Sequence, residues 1–288
     1  MLILIAALMF LAASIVFALA IASIFDSDAI TLRDSVAVIP IEGGIYDSRD
    51  VVETLHRYRD DGNIEAVVIR VNSPGGAIVP SQEIHDEIIA FREESGKPVI
   101  ASMGGVAASG GYYVAAACDR ILAGRGTVTG SIGVITEWMN VEGVLDWARI
   151  EPITIKSGEM KDIGTPYRDI TAEEREFYEK FVLSLLDQFV ADVSRDRDLP
   201  EERVRALADG RIFTGEQAKQ HKLIDDLGNI WDAIDAAAEM ARINDPNVIY
   251  PHPWEPGLFD YLFGSENAKI PVLSRLTGAN TPFQYRWK

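Results

Sequence analysis

The chain has one cysteine in 288 residues, so an intrachain disulfide is excluded. That residue, Cys118, ends the apolar run Val114–Cys118 and is expected to be a small buried side chain. Histidine is almost as scarce. His56 and His85 fall in amphipathic helical patterns, His221 in a polar stretch and His252 in a proline-rich tail. None stands in a motif that aims it at a hydroxyl, and each is expected to be packed or solvated, so a Ser-His-Asp arrangement has no support. Basic side chains are also in deficit. The chain has 27 Lys and Arg against 44 Asp and Glu, a net charge of −17, which argues against nucleic acid as a partner.

Charge is missing altogether from Met1–Phe25, which holds no Asp, Glu, Lys or Arg. As a helix this segment would span roughly 37 Å at ~1.5 Å per residue, more than a ~30 Å hydrocarbon core. It lacks the basic start of a cleaved signal peptide, and Ala18-Leu19-Ala20 only mimics a cleavage site, so residues 1–25 are expected to be an uncleaved transmembrane anchor. No basic cluster flanks it, so its orientation is not encoded.

Residues 26–34 form a short acidic linker, after which strand and helix patterns alternate. Ser35–Ile41 and Glu65–Val71 predict strands, the second apolar on both faces as a covered parallel sheet requires. Ser48 can cap a helix carrying Val51, Val52, Leu55 and Tyr58, and Ile84, Ile88 and Phe91 form a further helical stripe. Pro98–Ala101 and Asp119–Ala123 predict two more strands, giving an α/β layered fold with mostly parallel pairing. Thr171 with Glu174 predicts a capping box opening a helix to about Arg195; short helices follow from Pro200 and over Gly228–Arg242. After Asn244, prolines interrupt an aromatic-bearing stretch without periodicity. The organisation is therefore anchor 1–25, linker 26–34, one domain over 35–244 and an irregular extension over 245–288.

The chemistry concentrates in two glycine-bearing loops after predicted strands. Gly104-Gly105-Val106-Ala107-Ala108-Ser109-Gly110-Gly111-Tyr112-Tyr113 sets one serine among small residues at the start of a helix. There its hydroxyl can be exposed while backbone N–H groups point the same way, the parts of a nucleophile and an oxyanion site. Asn72-Ser73-Pro74-Gly75-Gly76 presents bare N–H groups at the carboxyl end of another strand, where ligand sites of open α/β sheets gather. With no histidine in place, a lysine of depressed pKa is the alternative base. Lys156-Ser157-Gly158-Glu159-Met160-Lys161-Asp162, near a strand-like Ile153–Ile155, offers two, and the residues alone do not choose between Lys156 and Lys161. Thr127–Ile135, with Ser131, adds hydroxyls able to hold a neutral lysine.

These segments, in this order, with Asp209-Gly210-Arg211 through Thr214-Gly215, resemble the signal peptide peptidase A family, membrane-anchored serine peptidases of the Clp-protease/crotonase fold. The likeness runs from about Ser35 to Arg242. It implies a Ser–Lys dyad of Ser109 and Lys161, oxyanion donors at the N–H groups of Gly76 and Gly110, and Ser131 as the hydroxyl that positions the lysine. It also implies a homo-oligomer with inward-facing sites, no metal or cofactor, peptide substrates such as spent signal peptides, and a catalytic domain outside the cytosol. A same-fold peptidase devoted to one membrane protein, such as a stomatin-like partner, a crotonase-type acyl-CoA enzyme and a non-cleaving membrane-tethered scaffold are the alternatives.

Overall fold

The computed structural model describes residues 34–251 and the strand at 283–286. The expected anchor and most of the extension lie outside these residues; among the described residues no helix is long and apolar enough to cross a membrane. The elements, in chain order, are β1 (Ser35–Glu42), α1 (Arg49–Asp60), β2 (Ile64–Ser73), β3 (Gly75–Ala77), α2 (Ile78–Ser95), β4 (Val99–Ala108), α3 (Gly110–Ala116), β5 (Arg120–Ala123), β6 (Val128–Gly130) and β7 (Ile135–Thr136). They continue with α4 (Glu142–Ala148), a 3-10 turn (Glu159–Asp162), α5 (Ala172–Asp196), α6 (Glu201–Leu207), β8 (Ile212–Thr214), α7 (Gly215–Gln220), β9 (Asp226–Leu227), α8 (Ile230–Ala241), β10 (Asn247–Ile249) and β11 (Phe283–Arg286).

The main sheet has eight strands: β10-β1-β2-β4-β5-β9 run parallel throughout, β6 pairs parallel with β4, and β8 joins β6 antiparallel. Side-chain alternation along a strand divides the core in two. On β1, Val36 and Val38 join Ala66, Val68, Ile100 and Leu122 under Ala233, Ile234 and Ala237 of α8. Ala37, Ile39 and Ile41 face the larger core with Leu55, Ile84, Ile88, Phe91 and Phe189. Helices thus cover both faces, and the strands read as nearly unbroken apolar runs. Asn247–Ile249, past the expected boundary at 244, adds the outermost strand beside β1.

Several local expectations are met and others corrected. Thr171 and Glu174 form the capping box, and Asn229 caps α8 by accepting from the Trp231 N–H at 2.8 Å. Ser48 precedes α1 but does not cap it with its side chain; its hydroxyl donates to Glu83 of α2 instead. Gly104–Ala108 is not loop: it continues β4, whose first half pairs with β5 and second half with β6, so small residues serve a strand flanked in succession by two partners. Ile153–Ile155 forms no strand, because nothing pairs with it among the described residues; both isoleucines are exposed.

Cys118 is buried, and burial pushes its thiol pKa well up. His85 is packed, as expected, but inside a polar network. It is 1% exposed, with Nε2 2.6 Å from Asp196 of α5, Nδ1 2.8 Å from Asp86, and its ring 4.7 Å from that of Tyr113. Burial lowers the proton affinity of an imidazole, but the hydrogen bonds to Asp196 and Asp86 outweigh it and hold the His85 pKa above its ordinary value. Burial works upward on Asp196, and His85 with Arg195 overcomes it, so that carboxyl stays below its usual range.

A raised histidine pKa stabilises the fold fully below about pH 6.5, the unfolded value, and its contribution fades as pH rises through the folded value. The depressed Asp196 pKa acts at the other end, its contribution being lost as pH falls through the folded carboxyl value. His85→Gln is expected to cost about 3 kcal/mol at mildly acidic pH by breaking a buried ion pair. Urea unfolding across a pH series should show that deficit shrinking toward alkaline pH.

Candidate active site

The site begins with a backbone constraint at Ser109. The residue sits at the turn from β4 to α3 with φ 54° and ψ −119°, a conformation that a side-chain-bearing residue adopts only when its surroundings enforce it. The enforcing bonds are local. The Ser109 N–H donates to the Gly130 carbonyl at 2.8 Å, and the Ser109 carbonyl accepts from the Tyr113 N–H at 2.9 Å. Tyr113 is anchored in turn by donating its hydroxyl to Asp192 of α5. Ser109 is 1% exposed, and its Oγ is buried with no hydrogen-bond partner among the described residues. A buried hydroxyl without a partner is costly, which makes the position a functional candidate.

The two glycine loops meet immediately beyond it. A Cβ added to Gly110 would lie 3.3 Å from both the Gly75 Cα and the Gly76 nitrogen, and 2.5 Å from Ser81 Oγ. On the far side of β3, the Ile45 N–H donates to the Gly75 carbonyl at 3.1 Å and the Ala77 N–H donates to the Ile45 carbonyl at 2.7 Å. Those bonds use the residues flanking Gly76, so strand alternation turns the N–H of Gly76 away from Ile45. Gly76 has no room for a side chain either: its Cβ would fall 2.1 Å from the Ile45 carbonyl oxygen.

Ser131 joins the same region by register. Ala108 pairs with Gly130 in parallel strands, which sets the residues that follow, Ser109 and Ser131, side by side. Ser131 is buried, has φ 50° and donates its N–H to the Arg211 carbonyl at 2.8 Å. The structure therefore brings together Gly76, Ser109, Gly110 and Ser131. It does not bring Lys161 into that group. Lys161 lies exposed on the 3-10 turn, and no hydrogen bond joins it to Ser109.

The structure does separate the two lysines. Lys156 Nζ is 2.9 Å from Asp162 and 3.2 Å from Glu159, and Asp162 also meets Arg168 at 3.1 Å. The hydrogen bond to Asp162 leads the effects that raise the Lys156 pKa, the wrong direction for a base. Lys156 in turn leads the effects that hold the Asp162 carboxyl below its usual range. The carboxylates flanking Lys161 are thus turned to Lys156 and Arg168, and the Lys161 ammonium has no ion-pair partner among the described residues.

The support beneath the site was not evident in the sequence. Ser73 Oγ accepts from the Gly75 N–H at 3.0 Å, and Ser81 Oγ donates to the Ala77 carbonyl at 2.8 Å, pinning both ends of β3. The available signal was Ser81 itself, a serine on the buried stripe of Ile84, Ile88 and Phe91 where an apolar residue would be expected.

The chain is similar to known proteins over much of its length. The sequence profile described as Peptidase family S49 matches residues 91–244. A putative protease, slr0021, from Synechocystis is 36% identical over 253 residues, 88% of this chain and 86% of its own length. A putative signal peptide peptidase SppA from Enterococcus faecium is 36% identical over 204 residues, 71% of this chain. Protease 4 of Salmonella typhi is 32% identical over 83% of this chain. The matches cover 59% of the enterococcal protein and 40% of the Salmonella one.

The close approach at Gly110 can be measured. Gly110→Ala is expected to cost about 2 kcal/mol through overpacking. Combining it with Ser81→Ala, which removes the nearest obstructing atom, should recover part of that loss, so the two changes are non-additive in urea unfolding.

Proposed function

Because the chain belongs to peptidase family S49, we propose that it is a serine endopeptidase with Ser109 as nucleophile, Lys161 as general base and the Clp-protease/crotonase fold. The observation that carries this reading is the buried, unpartnered Ser109 hydroxyl on a strained turn beside the convergent backbones of Gly76 and Gly110. Neutral Lys161 accepts the Ser109 proton as Oγ attacks the peptide carbonyl. The N–H groups of Gly76 and Gly110 stabilise the oxyanion, and the lysine returns the proton to the departing amine. Water, deprotonated by the same lysine, then hydrolyses the acyl-enzyme. Ser131 holds the amine in place. An acyl-CoA enzyme would use the paired N–H groups but would have no need of a strained serine with an unsatisfied hydroxyl, so that observation favours the peptidase.

Lys161 reaches Ser109 from a neighbouring copy. Its segment is flanked by large apolar side chains left uncovered by the described residues: Met139, Trp147, Ile153 and Ile155 are exposed, Trp147 by 86% and Ile155 by 96%. A second copy of the chain covers that face and supplies the missing amine. The substrates are apolar peptides at a membrane, such as spent signal peptides, in keeping with the relative named signal peptide peptidase SppA and with the uncharged segment at residues 1–25 as an anchor; the family resemblance puts the catalytic domain outside the cytosol.

Ser109→Ala and Lys161→Ala are each expected to lower cleavage of an apolar peptide by ~10³-fold or more. Co-expressing the two inactive variants should restore cleavage, since interfaces then form with both functional groups; no recovery would place the lysine within one chain. Cleavage should also rise with pH, because the amine accepts a proton only when neutral. A flat profile would remove lysine as the base.

A further inference from the structure

The turn that presents Lys161 is held by charge rather than by an apolar core. Residues 151–159 are exposed throughout, and no residue of the 3-10 turn is buried. What fixes the turn reaches it from α5. Glu174, buried at the start of that helix, takes two N–H groups of the Arg168 guanidinium, at 2.8 and 2.5 Å. Arg168 also donates to Asp162 Oδ1 at 3.1 Å, and the Lys156 ammonium donates to the same oxygen at 2.9 Å. Lys156 adds a bond to the Glu159 carbonyl at 3.0 Å, which ties down the other end of the turn. Isolated exposed ion pairs contribute little, but a bidentate arginine on a buried carboxylate, shared across a network, is the arrangement that holds geometry.

We propose that Arg168 and Lys156 are positioning residues for the base: by holding the Asp162 carboxylate between them, they leave the neighbouring Lys161 amine without a counterion on its own chain and able to take a proton from the Ser109 hydroxyl. The inference rests on the reading of Lys161 as general base. Asp162 is next to it in sequence, and the flexible four-carbon stem of a lysine can bring its amine to an adjacent carboxylate that is not engaged elsewhere. A carboxylate beside an ammonium favours the charged form, which cannot act as a base. The titratable groups around this turn among the described residues are Glu159 and Asp162 on the turn itself, Lys156 before it, Arg168 after it, and Glu174 and Tyr178 on α5, Tyr178 lying against Gly164. Each of the three carboxylates has a cationic partner other than Lys161.

The test uses the full chain and a fluorogenic apolar peptide, with kcat and KM measured from neutral to alkaline pH. The variants are Lys156→Gln, Arg168→Lys, the two combined, and that pair with Asp162→Asn. A lysine at 168 can still pair with Glu174 but lacks the fork that serves two carboxylates, so the start of α5 keeps its ion pair. The combined variant is expected to move the rising limb of kcat/KM up by about one pH unit, lowering cleavage at neutral pH about tenfold through kcat with KM little changed. Each single change should move the limb less. Adding Asp162→Asn removes the released carboxylate and should bring most of the limb back, a return that a merely structural network would not give. A second readout needs no catalysis: in the chain carrying Ser109→Ala, competitive acetylation of Lys161 by acetic anhydride, read by mass spectrometry, should require a higher pH in the combined variant. A limb that stays at the parent's pH, or a shift that Asp162→Asn leaves in place, would overturn the inference. Cleavage that survives Lys161→Ala would instead overturn the reading of that lysine as base, while the acetylation profile would still report what the network does to its amine.

Discussion

The whole site depends on one absence of matter: no Cβ stands between the Gly110 backbone and the Gly75-Gly76 backbone. Two chain segments 34 residues apart can approach this closely only because both present bare main chain where they cross. The rest of the molecule supports that crossing. The parallel sheet ends β2 and β4 side by side, Ser73 and Ser81 fix the ends of β3, and Gly130 takes the Ser109 N–H so that the strained turn persists. Strain at Ser109 is tolerated because the bonds that enforce it come from elements with their own reasons for being rigid.

Charge is organised around the same economy of contacts. A strongly acidic chain surrounds its candidate base with carboxylates in sequence, yet Lys156 and Arg168 draw Asp162 away, and Arg168 reaches on to Glu174 at the start of α5. Glu174 thereby serves as both an ion-pair partner and one half of the capping box, and the hydrogen bond from Arg168 leads the effects that hold its pKa down at about 2. The salt-bridge network fixes the segment that carries Lys161 while leaving that lysine outside it.

Much of this was legible in the sequence where local chemistry decides. The strands at 35–42 and 64–73, the stripe of α2 and the capping box of α5 follow from periodicity and caps. Glycine-rich segments read less well. Gly104–Ala108 has a loop's composition but lies in a strand, since a covered position between two successive partners selects small residues as strongly as a turn does. Ile153–Ile155 has a strand's composition but no partner among the described residues, and pairing is not a local property. At the site, Ser109, Gly76 and Gly110 were visible as candidates because their neighbours are unusual. Ser73, Ser81 and Ile45 were not, because their roles are long-range bonds to backbone. Which of Lys156 and Lys161 the carboxylates face is a matter of side-chain direction, which no spacing rule encodes.

The parallel pairing of β1 with both β2 and β10 bears on how the domain carries load. Ser35 lies opposite Ile64 on one side and Asn247 on the other. Any tension applied to the chain at residue 34 pulls β1 along its own axis and shears both ladders at once, rather than peeling their hydrogen bonds singly. A domain tethered from that point would yield to force at its most cooperative seam, and its lifetime under pulling would be set by the unfolding barrier, not by equilibrium stability.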